Sequence, residues 1–419
     1  MTFKKEIYMI KKSILITFLS LFNIVFLYSQ NRTKQPIHIP VFINTPVLFN
    51  PTYYPNGVVQ KDGLTYLQNG RIVLKKVKIP SFKNYTFTNI EVKLVSNGDP
   101  WDKSGSCFII PNTSKISMLD IADDKAQYPY IDSLKYEKLV GIVSGRDYKP
   151  TVELMRFMTP FGVGHFSGLK DSLSMKRKPV YVDEWAPNVV WKQDVTDLLP
   201  LMDNEVYIGI FIDTWTNKGY KVDVTLSFTE SVVRGDKRPK THVEPLLNTV
   251  YYLGQQLPDI FSRKALNVPF NIPKKAKKVR LKYIATGHGG HENGDEFRPQ
   301  KHILSIDNKE LTTFTPWRTD CASFRRFNPS TGVWLVKRDL AYITDEGKRA
   351  IKQIEEPLGS SDLSRSNWCP GSDVMPYVMD LSSFPAGNHT FTIQIPESTP
   401  MSKDKLNHWL ISAYLVWEE

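Results

Sequence analysis

From Val206 to Ile212 the chain is apolar throughout except at Gly209. Asp213, Thr214 and Trp215 follow, then the turn cluster Thr216-Asn217-Lys218-Gly219. From there the pattern alternates strictly. Tyr220, Val222, Val224, Leu226 and Phe228 fall on one face, and Lys221, Asp223, Thr225 and Ser227 on the other. A period of two marks a strand with one wet face, and a short continuous apolar run marks a strand covered on both. The two segments read as a β-hairpin with a buried inner strand. Side chains alternate along a strand, so Phe211, Asp213 and Trp215 share a face, and the acid and the indole address one ligand from a strand end.

The same alternation marks Ile90-Val92-Leu94, Val279-Leu281-Tyr283, Phe391-Ile393-Ile395 and the terminal run Trp409-Ile411-Ala413-Leu415-Trp417. Many short strands separated by Gly, Pro and Asn signals predict an all-β chain of sandwich type. Only Asp345 to Glu356 reads as a helix. The charged, proline-bearing stretch from Arg234 to Pro245 is the best boundary, giving an N-terminal domain over 31–235 and a C-terminal one over 244–419.

The first 30 residues stand apart. Lys11 and Lys12 precede an apolar run from Ser13 to Tyr28, which ends at Ser29-Gln30. That order reads as a secretory signal peptide rather than an uncleaved anchor, and no cysteine follows it to carry a lipid. No later segment is long and apolar enough to span a membrane. The expected location is therefore secreted or periplasmic, with no membrane partner after signal removal and a monomer as the default. What remains, about 390 residues, suits two domains. The whole chain carries a net charge of +11, and residues 1–29, with four Lys and one Glu, account for three of these charges. The modest excess that is left lacks the basic stripes interleaved with aromatics that nucleic acid requires. In an exported protein one pair of the three cysteines is expected to bridge. Cys321 and Cys369 flank a polar, insertion-like stretch, and closing such a loop stabilises by up to ~4–5 kcal/mol in the chain-entropy picture. Cys107 then reads as a small buried apolar residue, since no histidine lies near it in sequence.

Export makes three acid–aromatic pairs worth weighing: Trp101-Asp102, Asp213-Thr214-Trp215 and Asp295-Glu296-Phe297. A ring stacks on the C–H face of a sugar, and its apolar body lifts the pKa of a nearby acid. A fourth polar–aromatic segment runs from Ser364 through Arg365 and Trp368-Cys369 to Gly371. Each has a plainer reading. Asp102 follows a turn cluster and would serve as a turn aspartate bonding its own backbone. Arg365 would be an ordinary surface arginine. The loop from Thr286 to Phe297 holds His288 and His291, with His302 beyond, a candidate zinc or copper set. No helical register aims the two imidazoles together, and no full second ligand set is visible.

Taken together, these segments resemble the peptide-N-glycosidase F family of secreted bacterial amidases. The resemblance runs through Trp101-Asp102, Arg156 to Gly164, Asp194-Val195-Thr196-Asp197, Asp213-Thr214-Trp215 with Lys218-Gly219, the glycine-rich run up to Glu296 with His302, and Arg365 with Trp368 to Gly371. It implies two antiparallel eight-stranded jelly-roll β-sandwich domains packed side by side, with a cleft at their interface. It implies hydrolysis of the β-aspartylglucosylamine bond of N-linked glycoproteins or glycopeptides, without metal or other cofactor. The main catalytic aspartate would fall on Asp102, with Glu296 and Asp213 in support. Trp101, Trp215, Trp368 and Arg365 match cleft residues, and His288 matches a family histidine. Lys103 and Phe297 stand where the family has arginine and tryptophan, and Asp213 where it has glutamate. The Cys321–Cys369 bridge is retained, while insertions near 115–150 and 325–360 have no counterpart.

Two carboxylic groups in one dry cleft serve amide hydrolysis if their pKa values are pushed apart. Paired carboxylates alone also fit a glycoside hydrolase, the histidines a copper monooxygenase on tandem jelly rolls, and the aromatics a non-catalytic glycan-binding module.

Overall fold

The computed structural model describes residues 34–419 apart from 113–114, 128–140, 169–174, 176, 180, 234–238, 254–259, 292 and 403–404. The leader expected over 1–30, part of the insertion near 115–150 and part of the boundary stretch after Arg234 lie outside the described residues. Among the described residues no helix is long and apolar enough to cross a membrane.

Two sandwiches account for the chain. In the first, β1 (Ile37–Val47), β10 (Tyr220–Glu230), β5 (Thr86–Ser96) and β8 (Val189–Asp194) form one sheet in that order. The facing sheet contains β7 (Val152–Met158), β6 (Ser104–Ile110), β9 (Glu205–Ile212) and β4 (Ile72–Lys78), extended by short β3 (Leu64–Leu67) and β2 (Val59–Lys61). In the second, β11 (Thr241–Asn248), β21 (His408–Glu418), β13 (Lys277–His288) and β19 (Tyr377–Asp380) face β12 (Leu266–Ile272), β20 (Gly387–Gln394), β14 (His302–Ile306) and β15 (Lys309–Phe314). All these pairings are antiparallel. The all-β, twin jelly-roll expectation therefore holds. The halves are stitched as well, because the two-residue strand β18 (Asp373–Val374) leaves the second half to pair with β7.

Two local expectations fail, each for a physical reason. The segments on either side of Asp213 do not form a hairpin. β9 lies between β6 and β4, whereas β10 lies between β1 and β5 in the opposite sheet. A fully apolar strand needs cover on both faces and takes a central place, while an alternating strand keeps one face wet. Residues 213–219 thus cross the mouth of the sandwich. The helix read at 345–356 is instead half of a free-standing ribbon, β16 (Val333–Ile343) paired with β17 (Arg349–Gly359). Ala350 and Ile354 mimic a helical spacing, yet Ala350, Ile354, Glu356 and Leu358 are also the half-buried side of a strand. Eleven cross-strand rungs outweigh local propensity.

The terminal strand shows why the sandwiches stay together. Ile411, Ala413, Leu415 and Trp417 fill the core of the second sandwich, whereas Tyr414 and Val416 belong to the core of the first. Phe108, Phe211, Ile72 and Leu74 on the outer face of the β9 sheet join the second core in turn. Within this seam lies a buried ion pair, Arg156 with Glu153. A register shift opposite Cys107 and Phe108 inserts Leu154 as an extra residue, so two positions three apart in a strand face the same way. Glu153 also accepts from Ser106 at 2.9 Å and from Ser412 of β21 at 2.5 Å. Arg156 donates to the carbonyl of Leu410 at 2.5 Å and to Thr286 at 3.2 Å.

Removing one partner of a fully buried, hydrogen-bonded pair costs about 3–5 kcal/mol. Arg156→Met is expected to lower the unfolding free energy by that order in a urea titration. A loss below about 1 kcal/mol would mean that the pair is not a bolt between the sandwiches.

Candidate active site

The strand ends that open onto this seam carry the residues singled out from sequence. Trp101, Asp102 and Lys103 precede β6, and their backbone is held tightly. The Tyr220 hydroxyl donates to the Trp101 carbonyl at 2.6 Å, and Lys103 donates its N–H to Thr159 at 2.8 Å. Asp99, fully buried, accepts from the Trp101 N–H at 3.0 Å and the Thr214 hydroxyl at 2.6 Å. That aspartate ties the segment before β6 to the segment after β9. Asp99 does the turn-building between segments, while the Asp102 carboxylate keeps a bond to its own backbone N–H, as its plainer reading expects.

From the second sandwich come Glu296, Phe297, Arg365 and Trp368. Their loop is organised by another buried acid, Asp295. It accepts from Gln300, Ser398, the Thr399 N–H, Asn407 and the Trp409 indole at distances from 2.6 to 3.1 Å. A side chain at Gly294 would place its Cβ 1.9 Å from the Gly289 carbonyl oxygen, so the loop closes only with glycine there. The triplet Asp295-Glu296-Phe297 therefore divides its labour: the first residue builds the loop, and the second points into the cleft.

Arg365 joins the two sandwiches at this point. It is 2 % exposed. Its Nε donates to Glu296 Oε1 at 3.1 Å, and its Nη2 lies 3.8 Å from Asp102 Oδ2. A further N–H reaches the Leu363 carbonyl at 3.0 Å. The guanidinium sits 4.8 Å from the Phe297 ring and 4.9 Å from the Trp368 ring. Trp368 is itself buried and donates its indole N–H to the Gly287 carbonyl at 2.8 Å. It backs Arg365 instead of opening onto solvent as a wall. His288 lies behind it, ring on ring, with Nε2 2.9 Å from the Thr286 hydroxyl.

Asp213 forms a second cluster beside the first. Its N–H donates to the Ser104 carbonyl at 3.0 Å, which sets it next to the Asp102 segment across the β6–β9 pairing. Its carboxylate accepts from Arg71 at 3.0 Å and from the Tyr251 hydroxyl at 2.7 Å. No hydrogen bond or ion pair joins it to Asp102 or Glu296 among the described residues; Lys103 is the cation whose charge acts on both aspartates. Trp215 is 57 % exposed and Trp101 58 % exposed. Large indoles this exposed, each within two residues of a site aspartate, are available for stacking. Sequence reading missed Arg71, Tyr251 and His408. The rings of Tyr251, His408, His288 and Trp368 form a continuous rank from Asp213 to Arg365, with centroids 5.1 to 5.6 Å apart.

The electrostatics follow from this packing. Burial, and then the negative charge of Asp102, push Glu296 up to about 7. Burial also raises Asp102, against the pull of Arg365 and Lys103. Near neutral pH the two acids can hold one proton between them, as acid–base chemistry at this pH requires. Burial raises Asp213 too, with Tyr251 and Arg71 opposing. It holds His408 down to about 4 and His288 well below its ordinary value, so the aromatic rank is uncharged. Among the described residues no group of three His, Cys, Asp or Glu side chains is placed to hold a metal ion. Cys321 and Cys369 are bridged, and Cys107 is a buried free thiol.

Known proteins share this fold. The N-terminal part of the peptide-N-glycosidase F family matches residues 38–228, and its C-terminal part matches residues 256–416. The chain belongs to the peptide-N-glycosidase F family. The structure of PNGF-II is similar at 34 % identity and a TM-score of 0.75, over 92 % of this chain and 65 % of that one. The chain thus spans about two thirds of the length of that relative. PNGase F from Flavobacterium meningosepticum shares the fold at 15 % identity and a TM-score of 0.57, covering 92 % of this chain and 96 % of that one. No curated protein sequence matches the chain.

Because the charge of Asp102 raises Glu296, removing it acts in a known direction. In Asp102→Asn, the Glu296 carboxyl is expected to titrate at lower pH than in the unsubstituted protein. Carbon NMR of labelled glutamate checks this, with Glu296→Gln identifying the signal. An unchanged midpoint would show that the two acids do not share a field.

Proposed function

We propose that this protein is an exported glycoamidase. It hydrolyses the β-aspartylglucosylamine bond of N-linked glycoproteins or glycopeptides, releases the glycan and converts asparagine to aspartate. The observation that carries the reading is the placement of Asp102 and Glu296, from different sandwiches, on one buried arginine, with the exposed indole of Trp101 next to Asp102 in sequence. The leader-like first 30 residues fit export, and export brings such an enzyme to its substrate.

The reaction needs three things from the protein. Water must be activated against the asparagine side-chain carbonyl carbon, the oxygen must tolerate negative charge, and the leaving nitrogen must gain a proton. Asp102 handles proton transfer at the scissile bond. Glu296, able to carry a proton near neutrality, orients the water or the carbonyl and completes the acid–base pair. Arg365 compensates the two carboxyls and stabilises charge that develops between them. Asp213 and Arg365 anchor the first sugar, and Trp101 and Trp215 offer stacking faces. Lys103 adds positive charge between the two aspartates. His288, Phe297 and Trp368 act from behind, by fixing Arg365. This reading assigns acid, base and charge compensation to side chains, with no metal or cofactor in the reaction.

Products decide the matter. A glycopeptide treated in heavy-oxygen water is expected to yield a peptide whose glycosylated asparagine has become aspartate carrying heavy oxygen, seen by mass spectrometry. The reaction is expected to survive a strong chelator. A sugar left on asparagine would mean a glycoside hydrolase, and loss of activity to the chelator would mean metal chemistry.

A further inference from the structure

The second cluster of the cleft depends on a residue outside the motifs. Three successive positions before β4 have positive φ: Gln68 (+51°), Asn69 (+58°) and Gly70 (+95°). That region of backbone space is unfavourable for residues with a Cβ, and it recurs where surrounding structure enforces it for a purpose. Here the enforcement is visible. The Leu48 N–H donates to the Gly70 carbonyl at 3.1 Å, the Asn50 N–H to the Asn69 carbonyl at 2.9 Å, and the Asn69 amide to the Tyr54 carbonyl at 2.9 Å. A Cβ at Gly70 would sit 2.8 Å from the Tyr54 ring and 2.9 Å from the Leu48 carbonyl oxygen.

The product of this left-handed turn is the aim of Arg71. Its side chain is held by three hydrogen bonds. Nη1 donates to Asp213 at 3.0 Å, Nη2 to the Gln68 amide oxygen at 3.1 Å and Nε to the Gln68 carbonyl at 3.4 Å. Its Cζ lies 4.1 Å from the Trp215 ring centroid. Arg71 is 6 % exposed, yet the indole it supports is 57 % exposed. Phe49 completes the stack, with its ring centroid 5.1 Å from that of Trp215 and 5.7 Å from the Arg71 guanidinium. Asp213 is fixed from its other side by Tyr251 at 2.7 Å.

We propose that Arg71 is a positioning residue for the substrate: one guanidinium presents Asp213 as an oriented acceptor and Trp215 as a flat platform for the same N-acetylhexosamine ring. The identity of the sugar rests on the amidase reading; the coupling of acid and indole through Arg71 is the new element. A planar fork is required for this. A lysine keeps the charge but cannot bond Asp213, brace Gln68 and hold a delocalised cation against the indole at once.

The test is calorimetric titration with N,N′-diacetylchitobiose, the disaccharide through which N-glycans join asparagine. It compares the unsubstituted protein, Arg71→Lys, Trp215→Phe and the double variant, with near-UV circular dichroism establishing that each is folded. Arg71→Lys is expected to weaken binding by about ten- to a hundredfold, the scale of a hydrogen bond to a charged group. With a glycopeptide substrate it is expected to raise KM more than it lowers kcat. The Arg71→Lys and Trp215→Phe effects are expected to be non-additive, because each removes part of one assembly. Lysine binding like arginine, or effects that simply add, would overturn the role of Arg71 while leaving the amidase reading intact. If the unsubstituted protein fails to bind the disaccharide, both the sugar assignment and the proposal built on it are overturned.

Discussion

A guanidinium sealed from water must be matched by negative charge, and Arg365 has carboxylates beside it from both sandwiches. An uncompensated ion in such a place costs several kcal/mol. Glu296, on a loop of the second sandwich, pairs Arg365 directly, and Asp102, at a strand end of the first, brings a second carboxylate to 3.8 Å of the same guanidinium. The seam beneath therefore has to be stiff. Its stiffness comes from β21, whose two faces serve two cores, and from the Arg156–Glu153 pair, which reaches from β7 to β13 and β21. Sequence pattern, sheet packing and site chemistry meet in this one constraint.

The acids of the cleft fall into two kinds, and burial alone does not separate them. Asp99 and Asp295 are surrounded by donors and spend their lone pairs on backbone and side chains, which makes them scaffolding. Asp102, Glu296 and Asp213 have fewer donors, although each Asp213 oxygen accepts one hydrogen bond, from Arg71 and from Tyr251. A carboxyl with little solvent and few donors moves its pKa upward, which is what proton transfer near neutrality demands. The uncharged rank of Tyr251, His408, His288 and Trp368 keeps the floor of the cleft apolar without adding a competing cation.

Much of this was legible in the sequence, for identifiable reasons. Alternation at Tyr220 to Phe228 reports a core face and a more open one, and that strand obeys it throughout, whereas at Phe391 to Ile393 three successive residues are buried. The acid–aromatic segments reached the cleft because strand ends are where a rigid sheet can hold a side chain out. Period says nothing, however, about which sheet a strand joins, and so the segments around Asp213 were paired wrongly. The stretch 345–356 carries a spacing that suits helix and strand alike, and only its partner at 333–343 decides. Trp368 looked like a wall because aromatic character is visible in sequence and burial is not. Arg71 and Tyr251 carry no motif; the one available signal for Arg71 was the Gln68-Asn69-Gly70 turn placed directly before a strand.

The most direct measurement of the central claim is the rate of glycan release from a glycopeptide by Asp102→Asn, Glu296→Gln and the double variant. If the two acids act as one unit on a shared arginine, either single substitution should remove nearly all turnover, and the second should add little to the first. Near-normal release by Asp102→Asn, or losses that multiply as though the residues worked independently, would contradict the account.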